Sequence, residues 1–528
     1  MSANHELPRV VRTKGEPYVW MCSMGLAIGL LMVVGLLGLI VAQGVGVFWP
    51  DNVAQITLKP GGDGAQSMVG GRIVKEQRNS DQSGAIEWQL FTGNRDAYGF
   101  SFKFVNAADI ARVDYPRDLL VIERMEYGDA IGYAVALEAG GVTVESSDPQ
   151  FSARLDALVR EADERRGKIE RIEKGEIGAI SAAMERAKRR GGSLDELQAR
   201  YEVLAASAGK LRELQQAATL RYRLVSGEER SLPLGQIVDV QAPNALGTFA
   251  KMGCFVHNAW TFLSDEPREA NTEGGIFPAI FGTFVMTLLM SIAVMPFGIV
   301  AAIYLREYAK QGLWVRAVRV AVNNLAGVPS IVFGVVGLGF FVYLVGGAVD
   351  EALFKDSLPT PTFGTGGIFW AALTLALMTV PVIIVATEEA LAAVPRGARE
   401  ASLACGASKW QTIQRVVMPA SASGILTGLI LAMARGAGEV APLMLVGVVK
   451  LAPSLPIDGT FPFVHLDQKF MHLGFHIYDL GFQSPDSEAA KPMVFATTLF
   501  LILLVIVLNL SAILIRERLR RKYATGAF

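Results

Sequence analysis

Charge is scarce in this sequence. Asp, Glu, Lys and Arg make up only 19% of its 528 residues, below the roughly 25% of soluble domains. No sign dominates either. The 49 Lys and Arg against 50 Asp and Glu leave a net charge of −1, so the basic excess of a nucleic-acid binder is missing. Cysteine is nearly absent. Cys22, Cys254 and Cys405 lie far apart, which excludes a disulfide framework and a CxxC metal pair. His472 and His476 stand at i,i+4 without an HExxH motif, so the pair reads as a surface helix face and no metal site is expected. No GxxxxGK[ST] phosphate loop occurs, and no nucleophile–base constellation. The chain is therefore not expected to be an enzyme or to bind a cofactor.

What the sequence has is long uncharged runs, and a mean hydropathy of +0.36. No charge falls between Glu16 and Asp51, Glu273 and Arg306, Arg319 and Asp350, Asp356 and Glu388, or Lys491 and Arg516. Each gap exceeds the roughly 20 residues of a membrane helix. A sixth run, Val416 to Val449, is interrupted only by Arg435 and Glu439. Membrane helices are predicted at about 19–49, 277–304, 322–346, 368–387, 420–448 and 493–515. The first follows Arg9, Arg12 and Lys14 but is too long for a signal peptide, whose apolar core spans about 7–15 residues, so it reads as an anchor. Basic residues fill alternate loops: Arg306, Lys310, Arg316 and Arg319, then Arg396, Arg399, Lys409 and Arg415, then the tail 516–528. Acidic residues fill the others, Asp350, Glu351 and Asp356 in one and Asp458, Asp467, Asp479, Asp486 and Glu488 in the other. The positive-inside rule then makes residues 1–18 and the tail cytoplasmic.

The polar insert, residues 50–273, is accordingly expected outside the cell membrane. It opens with Gly-punctuated, strand-like stretches such as Tyr98–Val105 and Ala130–Val144. Asp148-Pro149 suits a helix N-cap and N1, Gly191-Gly192 a break, and Ser193 with Glu196 a capping box. Leu194, Leu197, Tyr201, Leu204, Ala208 and Leu211 recur at 3–4 spacing. An antiparallel helical hairpin over about 149–218 is predicted, within a folded α+β domain. Its outer face is open to either solvent or a partner.

One loop carries the sharpest signal: Glu400-Ala401-Ser402, three residues, Gly406, nine residues, then Val416-Val417-Met418-Pro419. It resembles the EAA loop of bacterial ABC-importer permeases, with Glu400, Ala401, Gly406 and Pro419 matching and Ser402, Val416 and Met418 departing mildly. The resemblance implies a helix–turn–helix knob that docks on an ATPase subunit, with ATP used by partner subunits. Further segments narrow it: Gly274 to Gly282 opening span two, Tyr304-Leu305-Arg306-Glu307-Tyr308 closing it, Asn324 to Gly334 opening span three, and Arg435-Gly-Ala-Gly438-Glu439-Val-Ala441-Pro442-Leu443 in span five. Together these are similar to the PstA type of phosphate ABC-importer permease, over about Gly274 to Tyr523. What the resemblance implies is an all-α polytopic permease fold of six transmembrane helices in a bacterial inner membrane; the large α+β insert between helices 1 and 2 departs from short family members, so the resemblance implies nothing about its role. It also implies a second permease subunit in a heterodimer, two ATP-binding subunits and an extracytoplasmic phosphate-binding protein, with lipid around the chain and no nucleic acid. Another oxyanion, sulfate or molybdate, stays open as cargo. A membrane sensor is a third reading, disfavoured by the want of a signalling domain after span six.

Three residues are candidates for the substrate path. Arg435 and Glu439 are the only charges between Arg415 and Lys450, and a charge in mid-membrane costs about 2.5–3.5 kcal/mol unless paired or wet. Their spacing puts them on one helix face. They can offer a guanidinium to an anion, or simply neutralise each other and lock packing. Ser330, after Pro329, sits where a helix lacks a backbone donor, a feature that flanks substrate paths or marks a plain kink. Glycines in Gly334-Val-Val-Gly337-Leu-Gly339 and the Gly424/Gly428 pair are read as helix-packing sites.

Overall fold

A computed structural model describes residues 17–60, 67–78, 85–189, 192–459, 463–484 and 487–524. The basic residues Arg9, Arg12 and Lys14, the Gly191 half of the expected break, Asp486 and residues 525–528 lie outside the described residues. Among the described residues six helices are long and apolar enough to cross a membrane: Tyr18–Gly46, Phe277–Tyr308, Ser330–Leu353, Ile368–Ala392, Lys409–Ala437 and Ser487–Arg521. An uncharged run of this length can satisfy its backbone in lipid only by closing its own hydrogen bonds, which is why each forms a helix.

The first of them, α1 (Pro17–Gly46), leads into the insert. Two antiparallel sheets follow. Strands β1 (Ala54–Leu58), β2 (Met68–Arg78), β3 (Ile86–Phe91), β4 (Phe102–Asn106) and β5 (Ile110–Asp114) order as β4-β3-β2-β1-β5. The second sheet takes β6 (Leu119–Arg124), β7 (Ala130–Ala139), β9 (Thr219–Leu224), β10 (Glu229–Pro233) and β11 (Ile237–Gln241) in the order β10-β9-β7-β6-β11, with β8 (Val142–Glu145) on β7. Helix α2 (Phe151–Glu170) buries Phe151, Leu155 and Val159 against Leu220, Tyr222 and Leu224 of that sheet. It runs on through a π segment into α3 (Gly178–Arg189), and α4 (Asp195–Gln216) packs back against it, tied by Arg212–Glu173 at 2.6 Å.

The caps of this hairpin differ from expectation. Asp148 accepts the Gln150 N–H instead of capping the helix, which starts two residues later. Ser193 accepts from Asp195 and donates to its carboxylate, so no capping box with Glu196 forms. A serine beside a closer carboxylate satisfies itself locally before it reaches the third turn amide. Of the periodic residues only Ala208 is buried, which leaves most of α4 solvated.

Helix α5 (Thr248–Ser264) and a short hairpin, β12 (Pro267–Arg268) with β13 (Glu273–Gly274), return the chain to α6 (Phe277–Ile303). Next come α7 (Leu313–Leu325), α8 (Ser330–Val336, continuing to Leu353), α9 (Ile368–Ala392), α10 (Arg396–Ala404), α11 (Met418–Ala437), α12 (Ala441–Val446), α13 (Leu473–Tyr478) and α14 (Ser487–Ala524). The core of the membrane-helix region joins Val285, Met290 and Val294 of α6 with Ala371, Leu375 and Ile383 of α9 and Ala432 of α11. Gly424 and Gly428 make the α9–α11 approach possible: a methyl on either would stand 2.5 Å from the Cβ of Ala390 or Ala386.

Two spans are not continuous. The third, expected over 322–346, is broken between Leu325 and Ser330, because Pro329 offers no N–H and pushes Val328 out of helical geometry. The fifth, expected over 420–448, ends at Ala437 and restarts at Ala441 with Pro442 in its first turn. Gly334 and Gly337 sit at close crossings with Pro442 and Thr374, whereas Gly339 faces open space.

Candidate functional site

The coupling-type loop is a helix–turn–helix built by two successive caps. Helix α10 ends in a Schellman arrangement: Gly406 N–H donates to Leu403 O at 3.0 Å and Ala407 N–H to Ser402 O at 3.2 Å. Gly406 holds φ +83°, the left-handed region that glycine enters without a Cβ penalty. Ser408 then opens the next helix with a capping box, accepting Gln411 N–H at 3.2 Å while Gln411 Oε1 accepts Ser408 N–H at 2.8 Å. Ser402 and Thr412 hydroxyls meet at 2.9 Å across the two arms. Glu400 and Ala401 lie exposed on α10 with Leu403, and Trp410 is exposed beside them. Pro419 lies ten residues into the continuous helix Lys409–Ala437, directly after its π-helical stretch Ile413–Val417.

The loop is fastened to the end of span two by residues quoted in the sequence but given no role there. Arg399 Nη1 reaches Glu307 Oε1 at 2.6 Å, and its Nη2 donates to Leu391 O at 2.5 Å. Lys409 donates to Glu307 O and stands 4.8 Å over the Tyr308 ring. Both members of the Arg399–Glu307 pair are mostly buried. Removing one partner of such a pair leaves the other unsatisfied, at about 1–3 kcal/mol. Glu307→Ala is therefore expected to speed tryptic cleavage at Arg396 and Arg399 in membrane vesicles by about tenfold, the equivalent of about 1.4 kcal/mol. Cleavage at the parent rate would show that the loop holds without this pair.

Arg435 and Glu439 flank the break in span five. Arg435 sits on the last turn of α11 and Glu439 in the non-helical link to α12. Their closest atoms, Nε and Oε1, are 3.6 Å apart, an ion pair too long for a hydrogen bond, with 34% and 21% of the side chains exposed. Ser330 starts α8, which packs on α12 through Gly334 and Pro442. The two helix breaks thus share one contact, although no hydrogen bond joins Ser330 to the pair among the described residues.

Other polar groups were not legible as site features. Thr283, Thr287 and Ser291 form a buried i,i+4 stripe on α6, each donating to the carbonyl four residues earlier, and Thr283 Oγ1 also accepts Leu473 N–H at 2.9 Å. Asp350, assigned to an acidic loop, is 2% exposed and accepts the amides of Thr362, Phe363 and Gly364 at 2.7–3.0 Å. His472 and His476 need a correction. They are not on a surface face; both are fully buried around α13, and His472 Nδ1 accepts Gly474 N–H at 3.1 Å. The six-residue α13 is packed on all sides by α6 and α14, so i,i+4 spacing marks a shared face without saying what covers it. Among the described residues no group of three or more His, Cys, Asp or Glu could hold a metal.

Residues 294–525 match the family of binding-protein-dependent transport system inner membrane components. The chain is 34% identical over 201 residues to a probable ABC transporter permease protein, YqgH, of Bacillus subtilis (strain 168), covering 38% of this chain and 60% of that one. It is 38% identical over 207 residues to the phosphate transport system permease protein PstA 1 of Mycobacterium tuberculosis (strain ATCC 25618 / H37Rv), covering 38% and 59%. The chain thus spans about 60% of the length of these relatives. A solved inward-facing form of the MetNI methionine ABC transporter aligns with a TM-score of 0.34 and 18% identity, over 46% of this chain and 94% of that one. Through residues 294–525 the chain is similar to binding-protein-dependent transport system inner membrane components, and over its matched stretch to permeases of the PstA type.

Proposed function

We propose that this chain is a membrane subunit of an ATP-driven importer of inorganic phosphate. The observation that carries the coupling half of the reading is the Gly406 turn: a two-helix knob, rigidified by two caps and fastened to span two, is what a permease needs to receive motion from a separate ATPase. The chain itself carries no phosphate-binding loop for ATP. Two ATP-binding subunits would supply hydrolysis, a second permease subunit the other half of the path, and an extracytoplasmic binding protein the cargo. In this reading the knob is cytoplasmic, with both termini, and the insert lies in the periplasm, as the loop charges favour.

Phosphate as cargo is supported by the similarity to phosphate transport system permease proteins such as PstA 1, and by an arginine at a broken helix. A guanidinium presents paired donors to a tetrahedral oxyanion, and Glu439 keeps that charge from binding too tightly. Uptake of radiolabelled phosphate by a strain deleted for this chain, with and without its return, is the test. Phosphate uptake restored by the chain is the expected result. Restoration of sulfate or molybdate uptake alone would move the cargo to another oxyanion, and no change in any uptake would overturn the importer reading.

A further inference from the structure

The β12–β13 hairpin is the joint where the insert meets the permease, and it grips both. Two of its residues, Glu269 and Asn271, hold positive φ of 42° and 75°, which turns their side chains in opposite service. Towards the insert, Arg268 pairs with Glu123 on β6, and Glu269 accepts the Tyr127 N–H in the β6–β7 turn. Glu266, just before the hairpin, pairs with Lys174 of the helical arm at 2.6 Å. Towards the permease, Asn271 is 1% exposed and its Nδ2 donates to Lys450 O at 3.2 Å and Asp479 Oδ2 at 3.3 Å. Lys450 Nζ closes the triangle on Asp479 at 2.9 Å. Lys450 lies in the stretch that follows α12, and Asp479 opens the π-helical segment Asp479–Gln483 that continues α13 towards α14.

Glu273, three residues before α6, sits inside this grip. It faces Gly128, where a methyl would come within 2.9 Å of its Oε1, and its Oε2 is buried without a partner. The charged groups around it are uneven. Glu123 and Asp129 approach from the second sheet and Glu269 from its own hairpin. The cations are Arg268 beside it and Arg72 of β2, which is already paired with Asp129 at 2.5 Å. Arg95 lies across a small cleft, and Glu488, on α14, lines the adjoining cavity but is paired with Lys491. Further out, Asp239 of β11 and Asp163 of α2 add negative charge and Arg166 a positive one. This cavity, of about 940 Å³, is bounded by α1, α5, α14 and both sheets and does not reach Arg435 or Ser330.

We propose that the β12–β13 hairpin is a proton-controlled joint through which the insert restrains the insert-side loops of the permease. Burial first, then Asp129 and Glu123, push the Glu273 carboxyl up to about 8. Burial likewise raises Glu123. A carboxyl raised in this way weakens the docked form as it ionises, so docking is strongest at acid pH and is lost as pH rises from the ordinary carboxylate range through about 8. Once Glu273 is charged, three other carboxylates face it, the hairpin lifts from the β6–β7 turn, and Asn271 no longer holds Lys450 and Asp479. The proposal deepens the permease reading by adding a regulator to it.

The test uses the full chain in lipid nanodiscs, with Cys22, Cys254 and Cys405 replaced by serine and spin labels at the exposed positions Val142 and Leu451. One narrow distance is expected at pH 6, and a second, broader population exceeding half of the molecules at pH 9. Glu273→Gln should keep the narrow distance at both, and Asn271→Ala should show the broad one already at pH 6. A single narrow distance in the parent at pH 9, or a Glu273→Gln variant that still switches, would overturn the joint. Phosphate uptake measured in parallel separates the two readings: switching without any uptake sinks the importer and keeps the joint, and uptake with a pH-blind distance sinks the joint alone.

Discussion

Gly406→Val is expected to reach the membrane in normal amount and to abolish ATP-driven uptake. The position is exposed and a methyl there would meet nothing within 4 Å, so the penalty is not a clash. It is conformational. A β-branched residue at φ +83° costs about 1–3 kcal/mol, and the backbone escapes that cost by leaving the left-handed region. The Schellman bonds to Leu403 and Ser402 then open, Ser408 loses its place as a cap, and α10 changes its angle to the following helix. The knob survives as two helices but no longer as one rigid body. Asparagine enters the left-handed region far more readily than valine, so Gly406→Asn serves as the mild control and should retain most of the uptake. Immunoblotting of the membrane fraction beside uptake gives the answer. Parent-level uptake by the valine variant would mean that this turn does not transmit the work of the ATPase.

Arg435→Ala should assemble and lose uptake by roughly 10–100-fold, the equivalent of the 1.5–3 kcal/mol of a charged hydrogen bond to the passing anion. Glu439→Gln should act in the opposite sense on binding, because Arg435 loses its charged partner at 3.6 Å, so that phosphate is held longer and turnover falls with a lowered KM. Arg435 stands beside the break between α11 and α12, with about a third of its side chain left uncovered by the protein. If Arg435→Ala transports at the parent rate, the residue is not part of the path. If it fails to assemble while Arg435→Ala with Glu439→Ala assembles, the pair exists to neutralise itself and hold the helices.

The membrane helices are legible because a missing charge over more than twenty residues has one physical solution in lipid. The loop 400–419 is legible because its turn rests on Gly406, and a glycine at a helix end leaves a local signature. The helix breaks are harder. The polar residues beside them, Asn323 and Asn324 at the first and Arg435 and Glu439 at the second, are too few to end an apolar run, and Pro442 lies after the second break instead of in it. The clamp on the loop is harder still: Glu307 and Arg399 are 92 residues apart, and neither carries a sign of the other. Asn271, Lys450 and Asp479 meet only because a left-handed backbone at Asn271 turns an amide inward, which no composition reveals. His472 and His476 teach the same lesson from the other side.

The rings that close the base of the insert carry one more consequence. Phe48, where the chain leaves α1, lies 5.2 Å from Phe262, where it comes back, and both lean on Phe500 of α14 at 6.1 and 5.6 Å. Entrance and exit thus share one doorpost, so the chain between Phe48 and Phe262 can lengthen or shorten without drawing α1 away from α14.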